Sequence, residues 1–175
     1  MSDLLFVPLQ TRLSNDFYKL RCDENNIRWS GHITPPSRAN LYKFVEKCIH
    51  EENRFVFLAY SDKNECIGYV YCDVDDNQKT IESSYGVYSP YNGQGYGTQI
   101  IEFSNRYGKL LGMQDHIAWV SEHNIASNRV FQKNGFVKSN EVEIRKLPLL
   151  GGEHKFLSGL RNYNEKSLCN NCCTF

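Results

Sequence analysis

The sequence lacks a surplus of charge. Twenty Lys and Arg balance twenty Asp and Glu over 175 residues, whereas a general nucleic-acid binder carries a basic excess. No nucleic-acid partner is therefore expected. Long apolar runs are also missing. Nothing approaches the ~20 residues that a membrane span needs, so no membrane partner is expected either. The opening residues MSDLLFVPLQTR place no basic segment before an apolar stretch, which argues against a signal peptide and for a cytoplasmic protein. A disulfide framework is absent too. The seven cysteines (Cys22, Cys48, Cys66, Cys72, Cys169, Cys172 and Cys173) are odd in number and scattered, as reduced thiols in a reducing compartment would be. Cys169, Cys172 and Cys173 have no second Cys/His pair of matching spacing, so no metal is expected.

What is present fits one folded domain. Hydrophobic residues make up 41% and charged residues 23% of the chain, close to globular averages. Residues 4–10 (LLFVPLQ) read as a strand. Residues 13–26 read as a helix capped by Ser14 or Asn15, with Phe17, Tyr18 and Leu20 at helical spacing. Residues 27–38 (IRWSGHITPPSR) read as a loop broken by two prolines. A second helix carries Leu41, Phe44, Val45 and Cys48. The period then changes to that of strands at 54–60, 65–74 and 79–89, rich in β-branched and aromatic residues. Ile100, Phe103, Tyr107 and Leu110 form the core stripe of a third helix. A strand at 116–122 follows, then a helix capped by Asn124 and stopped by Gly135. A terminal strand pair surrounds Gly151-Gly152. The expected order is β-α-α-β-β-β-α-β-α-β-β. That is an α+β fold with a single mixed, mostly antiparallel sheet flanked by helices. It would occupy residues 1–161, with a Cys-containing tail at 162–175. The last four residues, Cys172-Cys173-Thr174-Phe175, formally fit a prenylation box, although Thr174 is a poor aliphatic substitute.

Residues 92–97, NGQGYG, lie between a strand-like and a helix-like run. In such a turn successive backbone N–H groups can point at one anion, and the helix N-terminus favours negative charge. The turn lacks the Lys-Ser/Thr of a P-loop. Alone it is a weak signal. Residues 119–136, WVSEHNIASNRVFQKNGF, strengthen it. Together the two blocks resemble the GCN5-related N-acetyltransferase (GNAT) superfamily. The first matches its [Gln/Arg]-x-x-Gly-x-[Gly/Ala] turn. The second matches its N-x-x-S-x-x-x-x-x-K-x-G-F block through Asn124, Ser127, Lys133, Gly135 and Phe136. The Ala-Ser pair and Arg129-Val130 look most like the branch that acetylates ribosomal-protein N-termini.

The resemblance implies acetyl-CoA as co-substrate, an amine acceptor, a GNAT-like fold and transfer by direct attack. It implies that Asn92, Gly93, Gln94, Gly95, Tyr96, Gly97 and Thr98 hold the pyrophosphate. Val87, Tyr88 and Ser89 would lie along the pantetheine arm, with one of their N–H groups polarising the thioester carbonyl. Asn124 would bond that arm as well as capping its helix. Two positions depart from the family pattern. Asn92 stands where Gln or Arg is usual, and Phe131 stands where many relatives place the Tyr that protonates the leaving thiolate. Ser127, one helical turn earlier, is the alternative thiolate partner. Glu82, on the strand before the turn, is the candidate base, with His32, Glu122 and His123 as other options. Arg28, Trp29, His32 and Trp119 are candidates for the acceptor pocket. A homodimer through the C-terminal strands is implied by resemblance alone. Phe131 also keeps a different class open: a catalytically weak acyl-CoA-binding sensor or interaction module.

Overall fold

The computed structural model describes residues 3–163. The expectations that fall on Cys169, Cys172, Cys173 and the last four residues lie outside the described residues. Seven strands form one sheet: β1 (Leu5–Pro8), β2 (Arg54–Tyr60), β3 (Cys66–Asp75), β4 (Thr80–Val87), β5 (Asp115–Ser121), β6 (Val137–Lys146) and β7 (Glu153–Asn162). Their order across the sheet is β1-β2-β3-β4-β5-β7-β6. Every pairing is antiparallel except β4 with β5, which is parallel. The α-helices among the described residues are α1 (Ser14–Arg21), α2 (Glu24–Trp29), α3 (Arg38–Cys48), α4 (Tyr96–Leu110) and α5 (Ile125–Lys133). The expected fold class holds, with one added helix.

Burial explains the layers. β2 reads as an unbroken apolar run because both of its faces are covered. Val56 and Leu58 pack with Phe17 and Leu20 of α1 and Leu41 and Val45 of α3. Phe57 and Ala59 pack on the other face with Val70, Ile81 and Ile100. Ala118 and Val120 of β5 meet Ile101, Phe131 and Phe136 beneath α4 and α5. No helix among the described residues is long and apolar enough to cross a membrane.

Four sequence expectations are corrected. Residues 24–29 form α2 rather than continuing α1 into a loop. Six residues are too few to show helical periodicity, and the signal is the Asp23 cap, whose carboxylate accepts from the N–H groups of Asn25 and Asn26 at 3.1 Å each. Ser14 does not cap α1; its hydroxyl donates to the Thr11 carbonyl, and Leu13 holds the cap position. Leu110 is not core but 82% exposed, because the buried face of α4 turns through Ile101, Ser104, Asn105 and Gly108. The last strand includes Asn162, and the hydroxyl of Tyr163 meets the buried His116 ring at 2.9 Å.

His116 is fully buried between Phe136 and Tyr163, and its Nδ1 lies 2.7 Å from Asn105 Oδ1. Burial, aided by the nearby Arg161 cation, holds its pKa down at about 3. The unfolded chain therefore binds a proton here that the folded chain refuses. Stability should be unaffected by this group above about pH 6.5 and should fall below it, by at most about 1.4 kcal/mol per pH unit. Urea unfolding at pH 7 and pH 5 checks this, and His116→Gln should flatten that dependence.

Candidate active site

The sheet opens between β4 and β5. These strands pair only from Thr80/Asp115 to Glu82/Ile117, although β4 continues to Val87 and β5 to Ser121. Beyond that point they diverge and leave a cleft of about 940 Å³. The direction of the Val87 N–H follows from ladder alternation. The Tyr88 N–H donates to the Ile67 carbonyl at 2.8 Å on the β3 side, so its neighbour Val87 points its N–H the other way, into the cleft. The other two groups expected along a bound arm are committed elsewhere: Tyr88 N–H to Ile67, and Ser89 N–H to Asp23 at 3.0 Å. Asp23 also accepts the Ser89 hydroxyl at 2.9 Å, so one carboxylate ties α2 to the end of β4.

The glycine turn forms one mouth of this cleft. Gly93 and Gly95 have φ of +75° and +84°, a backbone region that glycine enters without strain. Gly95 is the N-cap residue of α4. The N–H groups of Gly93, Gln94, Gly95, Tyr96 and Gly97 have no acceptor among the described residues. By contrast Asn92 N–H donates to Ser89 and Thr98 N–H donates back to Gly95. The Gln94 side chain donates to Pro90. A run of unengaged N–H groups at a helix N-terminus is an anion cradle. Arg129 and Lys133 of α5 line the same cleft.

Across the cleft α5 begins at Asn124. Its Oδ1 accepts the Ser127 N–H at 3.1 Å, which leaves its Nδ2 with no acceptor among the described residues. Ser127 Oγ lies 3.2 Å from the hydroxyl of Tyr85. Burial pushes the Tyr85 phenol up to about 12, with the Ser127 contact opposing, so it holds its proton at neutral pH. Phe131 is buried, and its ring packs edge-on against Tyr85 at 5.8 Å. Sequence reasoning missed Tyr85. The signal was available: Phe131 lacks a hydroxyl, and β4 alternation aims Tyr85 at α5.

The other face of the sheet carries the carboxylates. Glu82, Ser84 and Gly86 share that face of β4. Glu82 is exposed yet crowded; its desolvation and then the neighbouring Asp73 carboxylate raise its pKa, with Arg145 opposing. Asp73, its cross-strand partner, is forked by Arg54 at 2.6 and 3.0 Å. Asp73 and Ser84 line the cleft, and Glu82, the expected base, does not. Arg28 and Trp29 line the cleft from α2; His32 and Trp119 do not. His32 sits on the exposed segment after α2. Trp119 is half-buried beneath Arg145, whose guanidinium lies 5.6 Å from its ring centre. The other base options, Glu122 and His123, are exposed and lie 3.6 Å apart.

A mixed sheet opened at its one parallel pair, with an anion cradle at the opening, is the arrangement that the resemblance to acetyltransferases implies. Known proteins agree. Residues 3–137 match the model of the acetyltransferase (GNAT) domain, and the chain belongs to that family. The fold is similar to that of spermidine N-acetyltransferase from Vibrio cholerae, solved with CoA and spermine: TM-score 0.83, 15% identity, 91% of this chain and 95% of that one. It is also similar to yncA from Salmonella typhimurium, solved with acetyl-CoA: TM-score 0.75, 14% identity, 97% and 99% covered. At those identities the likeness is one of fold. In sequence it is 21% identical over 89 residues to the uncharacterized N-acetyltransferase YycN of Bacillus subtilis, a match spanning 49% of this chain and 57% of that relative.

Proposed function

We propose that the protein moves an acetyl group from acetyl-CoA to a primary amine, on a small molecule or a protein N-terminus, by direct attack. The row of unengaged N–H groups from Gly93 to Gly97 carries this reading, because it lies where the opened sheet would admit a pyrophosphate and its arm. In this reading the glycine turn holds the pyrophosphate, and Arg129 and Lys133 supply the charge that Asn92 does not. Asn124 Nδ2 bonds the arm while Oδ1 keeps its cap. The Val87 N–H, aimed into the cleft, polarises the thioester carbonyl as charge builds on its oxygen. Ser127, bonded to Tyr85, meets the departing thiolate. Glu82 lies four strand residues from Gly86, about 13 Å at the usual rise, so it takes the amine proton through intervening water.

The Ser127 arrangement is what supports a likeness to the ribosomal-protein branch. The Tyr85 hydroxyl weakens the rival reading of a non-catalytic binding module, since it restores a proton source that Phe131 lacks. A homodimer is supported by edge strand β6, which exposes Val137, Val142 and Ile144; sedimentation at several concentrations tests it.

The experiment for the reading as a whole is a thermal-shift series with acetyl-CoA and longer acyl-CoAs, followed by thiol release against an amine panel. Acetyl-CoA should raise Tm, and ATP or NAD should not. Gly95→Ala should weaken acetyl-CoA binding about 5- to 30-fold, since a side chain there costs about 1–2 kcal/mol in the left-handed region. Calorimetric titration reads this directly, and unchanged affinity would remove the turn from the binding site.

A further inference from the structure

The chain is neutral overall, but its cleft is not. Six basic side chains line it against one acidic one, Asp73. Arg129 and Lys133 stand on α5 beside the glycine turn and serve the phosphates. Arg54 is neutralised by Asp73 at 2.6 Å, and Arg145 by Glu143 at 2.6 Å. Two guanidinium groups remain on the acceptor side, Arg21 and Arg28, and neither has a carboxylate partner among the described residues. Arg21 is half-buried. It donates one hydrogen bond, to the Tyr69 hydroxyl at 3.1 Å, and lies 5.7 Å from the centre of that ring. A guanidinium has five donors and does not lose its charge in proteins. Holding one partly out of water against neutral groups is unfavourable unless an anion joins it.

The position of Arg21 sets the geometry. The Tyr69 ring packs closely against Gly86: a Cβ there would fall 2.5 Å from Tyr69 Cε1. Gly86 and Val87 mark where the thioester carbonyl would be polarised. The guanidinium is thus one phenol ring away from the reacting centre, and Arg28 stands on the next helix along the same wall.

We infer that the acceptor is a small primary amine that carries its own oxyanion, a carboxylate or phosphate-type group a few bonds from the nitrogen, seated on Arg21 and Arg28. The inference rests on the acetyltransferase reading of the same cleft. The fork of Arg21 grips the oxyanion, which turns the amine toward Gly86 and Val87. A polyamine, the ligand of the Vibrio cholerae structure, would meet like charge here and be disfavoured.

The test is an acceptor panel run with saturating acetyl-CoA and read by thiol release. It contains free amino acids, their carboxamides, aminoalkyl phosphates, spermidine and short peptides. A thermal shift with acetyl-CoA alone is measured first. Free amino acids or aminoalkyl phosphates should be acetylated with kcat/KM at least tenfold above the carboxamides and above spermidine. Arg21→Gln should bring the carboxylate-to-carboxamide ratio toward one, and exposed Arg28→Gln should lower it severalfold without loss of acetyl-CoA binding. If Arg21→Gln fails to fold, the wild-type ratio and Arg28→Gln decide. Spermidine or peptides outpacing every anionic amine overturns the inference, and so does acetyl-CoA binding without turnover of any anionic amine. Absence of an acetyl-CoA shift overturns instead the acetyltransferase reading beneath it.

Discussion

Glu82→Gln should lower kcat/KM by about 10²- to 10⁴-fold at neutral pH, the range for losing a positioned general base. Its effect on the pH profile is more diagnostic than its size. A base acts only when deprotonated, so wild-type kcat/KM should fall as pH drops through the Glu82 pKa. Desolvation and then Asp73 hold that pKa above the usual carboxylate range. The acid limb should therefore sit higher than an ordinary carboxylate would place it, and should vanish in Glu82→Gln. Asp73→Asn gives the second reading. It removes the like charge and releases Arg54 from its fork, and both changes should move the limb to lower pH. An acid limb that persists unchanged in Glu82→Gln would assign the base elsewhere, with exposed His123 the next candidate.

Features built within a few residues of chain were more legible in the sequence than those that meet across the fold, and the reason is locality. The glycine turn and the Asn124 cap are each built within a few residues of chain, so φ-permissive glycines and a capping side chain announce them. Asn124 caps α5 as expected, and Gly93 and Gly95 take positive φ. Groups that meet across the fold give no such signal. Asp23 and Ser89 are brought together by a helix too short to show periodicity. Arg21 belongs to a helix whose apolar spacing marks only its buried face, so nothing local in the sequence places it beside Tyr69. Trp119 stands close to Asn124 in sequence, but it lies beyond the last β4–β5 pair and beneath Arg145. Tyr85 and Ser127 are far apart in sequence and meet only because β4 leaves β5 and faces α5.

That last pair leads to the second large effect. Ser127→Ala and Tyr85→Phe should each lower kcat about 10- to 100-fold with little change in acetyl-CoA affinity. The double variant should be no slower than the slower single. Such non-additivity is the mark of two groups acting as one unit. The argument starts from Phe131, which has no proton to give. It ends at a Tyr85 phenol pushed up to about 12 by burial, which stays protonated well into alkali and so adds no alkaline limb below about pH 11. Ser127 and Tyr85 both line the cleft, so a proton given by Ser127 to the thiolate is replaced from Tyr85 along a 3.2 Å contact, and Tyr85 regains its proton from solvent in the open cleft. A merely structural Tyr85 would predict lower stability and additive effects. Unchanged kcat in both single variants would mean that water protonates the thiolate, and the hydroxyl pair would then only join β4 to α5.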